Sequence, residues 1–220
     1  DQSSTTATRS IFEQKHHLVA QGTYSFPTRT DVSLIYLAGS GQPIDYVVNG
    51  DINGDGFSSN DPIYVPKDAT NPSEIQFASA KFNGVTYTPQ QQAQAFESFI
   101  RSNPCLNSQR GQIMSRNSCT TPWTNLVNVA LRQSFGAGQF KNFSLELQIF
   151  NFLNLLNNKW GQQQTVPYAG SLTLLNYSTT IGGNLLTGQK VYTFDPNFQD
   201  WNANNLASNY QLQLQLKYAF

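Results

Sequence analysis

Tyr210-Gln-Leu-Gln-Leu-Gln-Leu-Lys-Tyr-Ala-Phe220 alternates between apolar or aromatic side chains and polar or small ones. Successive side chains of a strand point to opposite faces. Tyr210, Leu212, Leu214, Leu216, Tyr218 and Phe220 therefore share one face, and Gln211, Gln213, Gln215, Lys217 and Ala219 the other. An amphipathic strand of about ten residues with aromatics near its end has the length and pattern of one that crosses an outer membrane, with lipid outside and water inside. A strand of a soluble sandwich can show the same alternation, so the choice rests on the remainder of the chain.

Working back from this end, four more segments alternate. His16–Phe26 sets Leu18, Ala20, Gly22, Tyr24 and Phe26 against His17, Val19, Gln21, Thr23 and Ser25. Thr30–Ala38 sets Val32, Leu34 and Tyr36 against Ser33 and Ile35, an imperfect polar face. Thr124–Phe135 sets Val127, Val129, Leu131 and Phe135 against Asn128, Ala130, Arg132 and Ser134. Asn142–Asn154 sets Phe143, Leu145, Leu147 and Ile149 against Ser144, Glu146 and Gln148, before the pattern dissolves in Phe150-Asn-Phe-Leu-Asn-Leu-Leu-Asn157. The connections Pro27-Thr-Arg-Thr30 and Gly136-Ala-Gly-Gln139 suit tight turns, whereas residues 40–122 and 155–207 form long separations.

Short, long, short, long is the parity of a transmembrane barrel, with brief periplasmic turns and extended external loops. The pattern predicts an all-β fold: an antiparallel transmembrane barrel segment of about five membrane strands and two long extracellular loops, in one continuous domain over 1–220. Tyr24, Phe26, Phe135, Phe140, Phe143, Tyr218 and Phe220 gather at the short-turn end, where an aromatic girdle is expected. The competing reading makes them core aromatics of a soluble sheet. Within the first long connection, Thr88-Pro89 followed by a run to Ile100 predicts a short helix, with Thr88 as N-cap and Phe96, Phe99 and Ile100 on one face. Ser171–Thr180 and Lys190–Phe194 are strand-like and predict a further hairpin.

Composition agrees with a hydrated lumen or a secreted β-protein. There are 13 basic and 13 acidic residues, so nothing suggests a nucleic-acid surface. Charged residues make up 12%, against about 25% in ordinary domains; polarity comes instead from 22 Asn and 22 Gln, beside 15 Phe and 10 Tyr. No run approaches the roughly 20 apolar residues of a spanning helix, which leaves a barrel untouched. Residues 1–12 lack the features of a secretion signal, so a mature or truncated chain is expected.

Asp51-Ile-Asn-Gly-Asp-Gly-Phe-Ser-Ser-Asn-Asp61 carries the chemistry of this chain. Asp51, Asn53 and Asp55 place oxygens at alternate positions, Gly56 permits a sharp turn, the Phe57 carbonyl can add a ligand, and Asp61 supplies a further carboxylate. Oxygen donors at this spacing suit a hard cation, so a structural Ca²⁺ is expected; an Asx-rich turn without metal is the other reading. Asp61 departs from the usual pattern, coming one position early and being Asp rather than Glu.

Cys105 and Cys119 lack the spacing of redox or zinc motifs, and no His lies near them in sequence. A disulfide in an oxidising compartment is expected, with free thiols as the alternative. His16 and His17 are adjacent and face opposite ways on a strand, so they cannot chelate one ion together. Glu146 and Arg132 lie on polar faces and suit a pair across a lumen. No catalytic grouping stands out, and no active site is assigned.

On these residues the chain resembles the C-terminal part of a TonB-dependent outer-membrane receptor, of the type with a carboxypeptidase-regulatory-like N-terminal domain. The similarity rests on Asn49-Gly-Asp-Ile-Asn-Gly-Asp-Gly-Phe-Ser-Ser-Asn-Asp-Pro-Ile-Tyr-Val-Pro66, Arg116-Asn-Ser-Cys-Thr-Thr-Pro-Trp123, Gln148-Ile-Phe-Asn-Phe-Leu-Asn154 and the final strand ending in Phe. It covers most of residues 10–220. The resemblance implies a place in a larger barrel of about 22 strands in the outer membrane of a Gram-negative bacterium, with energised transport through the TonB system. The implied partners are outer-membrane lipid and the plug and remaining strands of the same receptor, present as a separate chain. The plug, the TonB-contacting box and most of the strands have no counterpart here. The alternative function is a secreted calcium-binding β-sandwich, either an adhesin or a glycan-binding module.

Overall fold

A computed structural model describes residues 7–136, 142–166, 170–178, 180–181, 184–185, 190–200, 202–203 and 205–219. Strand dominates the secondary structure, and no described helix is long and apolar enough to cross a membrane. The chain divides into two compact units. One comprises Gln14–Gly41, Thr121–Thr165 and Trp201–Phe220; the other comprises Asp1–Glu13, Gln42–Thr120 and Val166–Asp200. The first contains the alternating segments, and the second is built mainly from the long connections.

The first unit is a five-stranded sheet of β1 (His17–Ser25), β2 (Thr30–Gly39), β3 (Thr124–Ser134), β4 (Phe143–Phe150) and β5 (Gln211–Tyr218), in that order. Every neighbouring pair is antiparallel. The β1–β2 turn is closed by the Phe26 N–H donating to the Thr30 carbonyl at 2.8 Å and the Arg29 N–H to the Phe26 carbonyl at 3.0 Å. Arg29 takes the left-handed conformation at φ 66°, as the end of a short hairpin loop requires. The second tight turn falls largely on 137–141, outside the described residues, as do Phe140 and Phe220 of the expected girdle.

Strand β4 ends earlier than its sequence suggests. Asn151 enters the left-handed region at φ 52°, and Phe152–Leu156 turns helical. The loss of alternation after Phe150 therefore marks a real change of backbone. The sheet does not close: β1 and β5 each pair on one side alone among the described residues.

The second unit has its own core. Its six-stranded sheet orders Cys119–Thr120, Pro43–Asn49, Ser171–Ser178, Val191–Thr193 and Gln76–Phe77, with Asp61–Pro62 alongside Pro43–Asn49. Ser171–Ser178 runs parallel to Pro43–Asn49 and antiparallel to Val191–Thr193. Pro43–Asn49 is buried at every residue except Asn49, so it lacks the alternation of a half-exposed strand. Ile44, Tyr46, Val47, Val48, Leu172 and Leu175 are among the sheet residues that form the core.

Helix α1 (Pro89–Ser102) completes that core. Its start is a capping box: the Thr88 hydroxyl accepts from the Gln91 N–H at 3.2 Å, and the Gln91 side chain accepts from the Thr88 N–H at 2.8 Å. Pro89 occupies the first helical position, where its missing N–H leaves no bond unmade. Phe96 and Ile100 are fully buried, with the Phe96 ring 5.1 Å from Phe194.

Candidate functional site: a two-faced sheet and an acidic loop

Strand register joins the alternating segments into two faces, one apolar and one mainly polar, the latter interrupted by Ile35 and by the row Val19, Leu37, Leu126. One row across all five strands reads Gly22, Leu34, Val129, Ile149, Leu212, and the next reads Tyr24, Val32, Leu131, Leu147, Leu214. On the opposite face one row reads Thr23, Ser33, Ala130, Gln148, Gln213, and the next Ser25, Asp31, Arg132, Glu146, Gln215. A slip of one residue in any strand would mix the two sets, so this register is specified by the pattern itself.

Among the described residues the apolar face is largely open, apart from the buried Ala38 at its long-connection end. Leu212, Leu214 and Leu216 are 60%, 68% and 66% exposed, and Leu18, Leu34, Leu131 and Leu145 are also exposed. A continuous apolar patch of this kind marks a contact surface with protein or lipid, because monomers in water rarely leave one open. At the short-turn end of this face Phe143 and Tyr218 lie 4.7 Å apart, and Tyr24 meets Phe26 edge-on at 4.7 Å. On the polar face Arg132 stands in register between Asp31 and Glu146, so its charge faces one carboxylate on each neighbouring strand.

Residues 51–61 form a tight polar loop. The Asp51 carboxylate accepts from the backbone N–H groups of Gly54 at 2.7 Å, Asp55 at 3.2 Å and Gly56 at 2.9 Å. Gly54 and Gly56 hold φ of 76° and 85°, where a side chain would be strained. Asn53 Oδ1 accepts from the Asp55 N–H at 2.9 Å, and Asp55 Oδ1 from the Phe57 N–H at 2.9 Å. That bond from Phe57, aided by the Asn53 and Asn60 side-chain amides, holds the Asp55 carboxyl below its usual range. Asp61 is buried, and its Oδ2 ties down the start of the loop by accepting from the Ile52 N–H at 2.9 Å.

Asp51, Asn53, Asp55, Phe57 and Asp61 thus share one loop. Among the described residues, however, no three His, Cys, Asp or Glu side chains cluster closely enough to hold a metal. Backbone N–H groups supply much of the compensation for the Asp51 charge. Cys105 and Cys119 are joined in a disulfide with their Cα atoms 5.6 Å apart.

Other buried polar groups left no periodic signal in the sequence. Glu97, on the core side of α1, accepts from Arg110 at 2.8 and 3.0 Å, Arg101 at 2.8 Å and the Ala69 N–H at 3.0 Å. Burial alone would raise the Glu97 carboxyl, but Arg110, Ala69 and Arg101 outweigh it and hold it below the usual range. The buried Tyr46 hydroxyl donates to Asp200 at 2.8 Å and accepts from Asn103 at 2.8 Å. Burial, reinforced by the Asp200 charge, pushes the Tyr46 phenol far up.

Asn151 and Asn154, within the Gln148–Asn154 stretch, act as braces in the first unit. Asn151 donates to the carbonyls of Gly161 at 2.9 Å and Ser208 at 2.6 Å, and Asn154 to those of Asn158 at 3.1 Å and Trp160 at 3.0 Å. No protein-family model, curated protein or solved structure matches this chain.

Proposed function

We propose that this chain is the C-terminal β-barrel portion of a TonB-dependent outer-membrane receptor, acting in energised transport of a substrate across the outer membrane. The observation that carries the reading is the apolar face, continuous in register over five strands and largely exposed among the described residues. In water such a face has no stable partner, whereas against acyl chains it needs none. The opposite face, with Gln213, Gln215, Glu146 and Arg132, suits a hydrated lumen. The strand lengths fit: eight to eleven residues at about 3.3 Å each, tilted by about 40°, span roughly the 25 Å apolar band of an outer membrane.

The open edges supply the second part of the proposal. Unpaired backbone groups in hydrocarbon cost several kcal/mol each, and about eight strands is the usual minimum for closure. Further strands of the same receptor would pair with β1 and β5 and close the barrel. The long connections then meet the external medium, and their acidic loop takes one Ca²⁺ through Asp51, Asn53, Asp55, the Phe57 carbonyl and Asp61. All of these donors are oxygens, as a hard cation requires.

The independent core of the second unit favours one other reading, a secreted calcium-binding adhesin or glycan-binding module. Fractionation separates the two. A barrel segment stays with the outer membrane through high salt and alkaline washing and leaves it only in detergent. Recovery of folded chain in detergent-free buffer would remove the membrane reading.

A further inference from the structure

A cavity of about 360 Å³ opens at the long-connection end of the apolar face, within the sheet unit. Among the described residues Trp123, Asn125, Lys159, Trp160, Gln162 and Gln164 account for most of its lining, and no carboxylate borders it. Asn125 lies on the apolar face, in register with Ala38. Trp123 and Trp160 are each 52% exposed, and Trp123 stacks on His16 with ring centroids 6.0 Å apart.

The polar groups here are mostly donors. Lys159 and both indoles can only donate, while Gln162, whose amide nitrogen is held by the Asn158 carbonyl at 3.1 Å, and Gln164, whose oxygen is buried and unbonded among the described residues, add acceptors. The Asn125 oxygen is already used by the Tyr36 hydroxyl at 2.7 Å, which turns its amide nitrogen into the group on offer. One cation with no anion beside it, among more donors than acceptors, favours a negatively charged ligand that also carries a group able to donate to the glutamine oxygens. Half-exposed indoles at the edge of an apolar band are where tryptophan meets lipid headgroups.

The wall carrying Lys159 and Trp160 is fixed. Asn154 holds the carbonyls of Asn158 and Trp160, and Asn151 holds that of Gly161. Gly161 is at φ 63°, and a Cβ there would sit 1.9 Å from Asn151 Oδ1. The Gln148–Asn154 stretch thereby positions the cavity.

We propose that this cavity binds the phosphorylated headgroup of a membrane lipid in the leaflet facing the long connections. Lys159 pairs with the phosphate and the two tryptophans flank the glycerol or sugar. The proposal rests on the membrane reading above.

The test uses the intact assembly extracted from outer membranes in mild detergent, titrated with phosphatidate or with diacylglycerol of the same chains, and read by native mass spectrometry. Phosphatidate should be retained and diacylglycerol lost. Lys159→Met should weaken phosphatidate retention about tenfold, and Lys159→Arg should restore most of it. Equal retention of the two lipids, or no change in Lys159→Met, overturns the proposal. So does displacement of phosphatidate by equimolar inorganic phosphate, which would make this a soluble-anion site.

A separate readout isolates the parent reading. Phosphatidylcholine with brominated chains should quench an emission component that disappears in Trp160→Phe, whatever the headgroup. Absence of quenching would remove the membrane reading, and the headgroup proposal with it.

Discussion

Asp45 is 1% exposed, and neither of its carboxylate oxygens has a hydrogen-bond partner among the described residues. A buried polar group left unbonded costs about 1–3 kcal/mol, more when charged. Asp45→Val removes that cost and should raise the thermal midpoint of the second unit; a lowered midpoint in calorimetry would show that Asp45 has a partner in solution. Glu97 is the opposite case, a buried carboxylate fully engaged by two arginines. Arg110→Met should destabilise by about 3 kcal/mol, because it leaves the charge in place without its main partner. Since folding lowers the Glu97 pKa, its contribution is complete above the ordinary glutamate range and is lost as pH falls through its depressed value. Denaturant midpoints in Glu97→Gln should therefore fall less steeply on acidification than in the parent. At the acidic loop, Ca²⁺ titration after exhaustive chelation should give one ion per chain, and Asp55→Ala should abolish it; a chelated parent that takes up no ion would refute the site. The oxygen spacing of that loop was legible in the sequence because it is local. Asp45, Glu97 and Tyr46 were not, since their environments are set by residues distant along the chain.

At the scale of the element, β5 gives the sharpest contrast. Leu214 and Gln213 are adjacent yet lie on faces that the proposal assigns to lipid and to water. Arg at Leu214, near mid-bilayer, should cost roughly 2–4 kcal/mol, and Arg at Gln213 far less. Heat-modifiable gel mobility of the assembled protein would report the difference, and equal tolerance at the two positions would mean that the faces see the same solvent. All five strands of this sheet were readable from sequence, with ends within a residue or two except at β4, because contrast between the faces enforces a period of two locally. Helix α1 was readable from its cap for the same local reason. Pro43–Asn49 was not, because burial on both faces erases alternation, and its parallel partner Ser171–Ser178 comes from the other long connection. The expected hairpin was correct in that Ser171–Ser178 and Val191–Thr193 pair antiparallel, but it forms the middle of a larger mixed sheet.

For the whole molecule, two units of different character share one chain. The sheet unit exposes apolar side chains chiefly on one face, and the second unit buries Ile44, Tyr46, Phe96, Ile100 and Leu175 in a core of its own. The second unit looks like loops in the sequence because its core is assembled from three separated stretches, none of them periodic enough to stand out alone. The first unit cannot be complete in lipid with two open edges, so the account requires further strands beside β1 and β5. On this proposal the two faces of the sheet meet different solvents. The most direct measurement places single nitroxide-labelled cysteines at each position from Gln211 to Tyr218 in the assembled protein in native membranes, and compares relaxation by oxygen with relaxation by a water-soluble nickel chelate. Labels at 212, 214 and 216 should be relaxed chiefly by oxygen and those at 211, 213 and 215 by the chelate, with a period of two; chelate access at all of these positions would contradict the account.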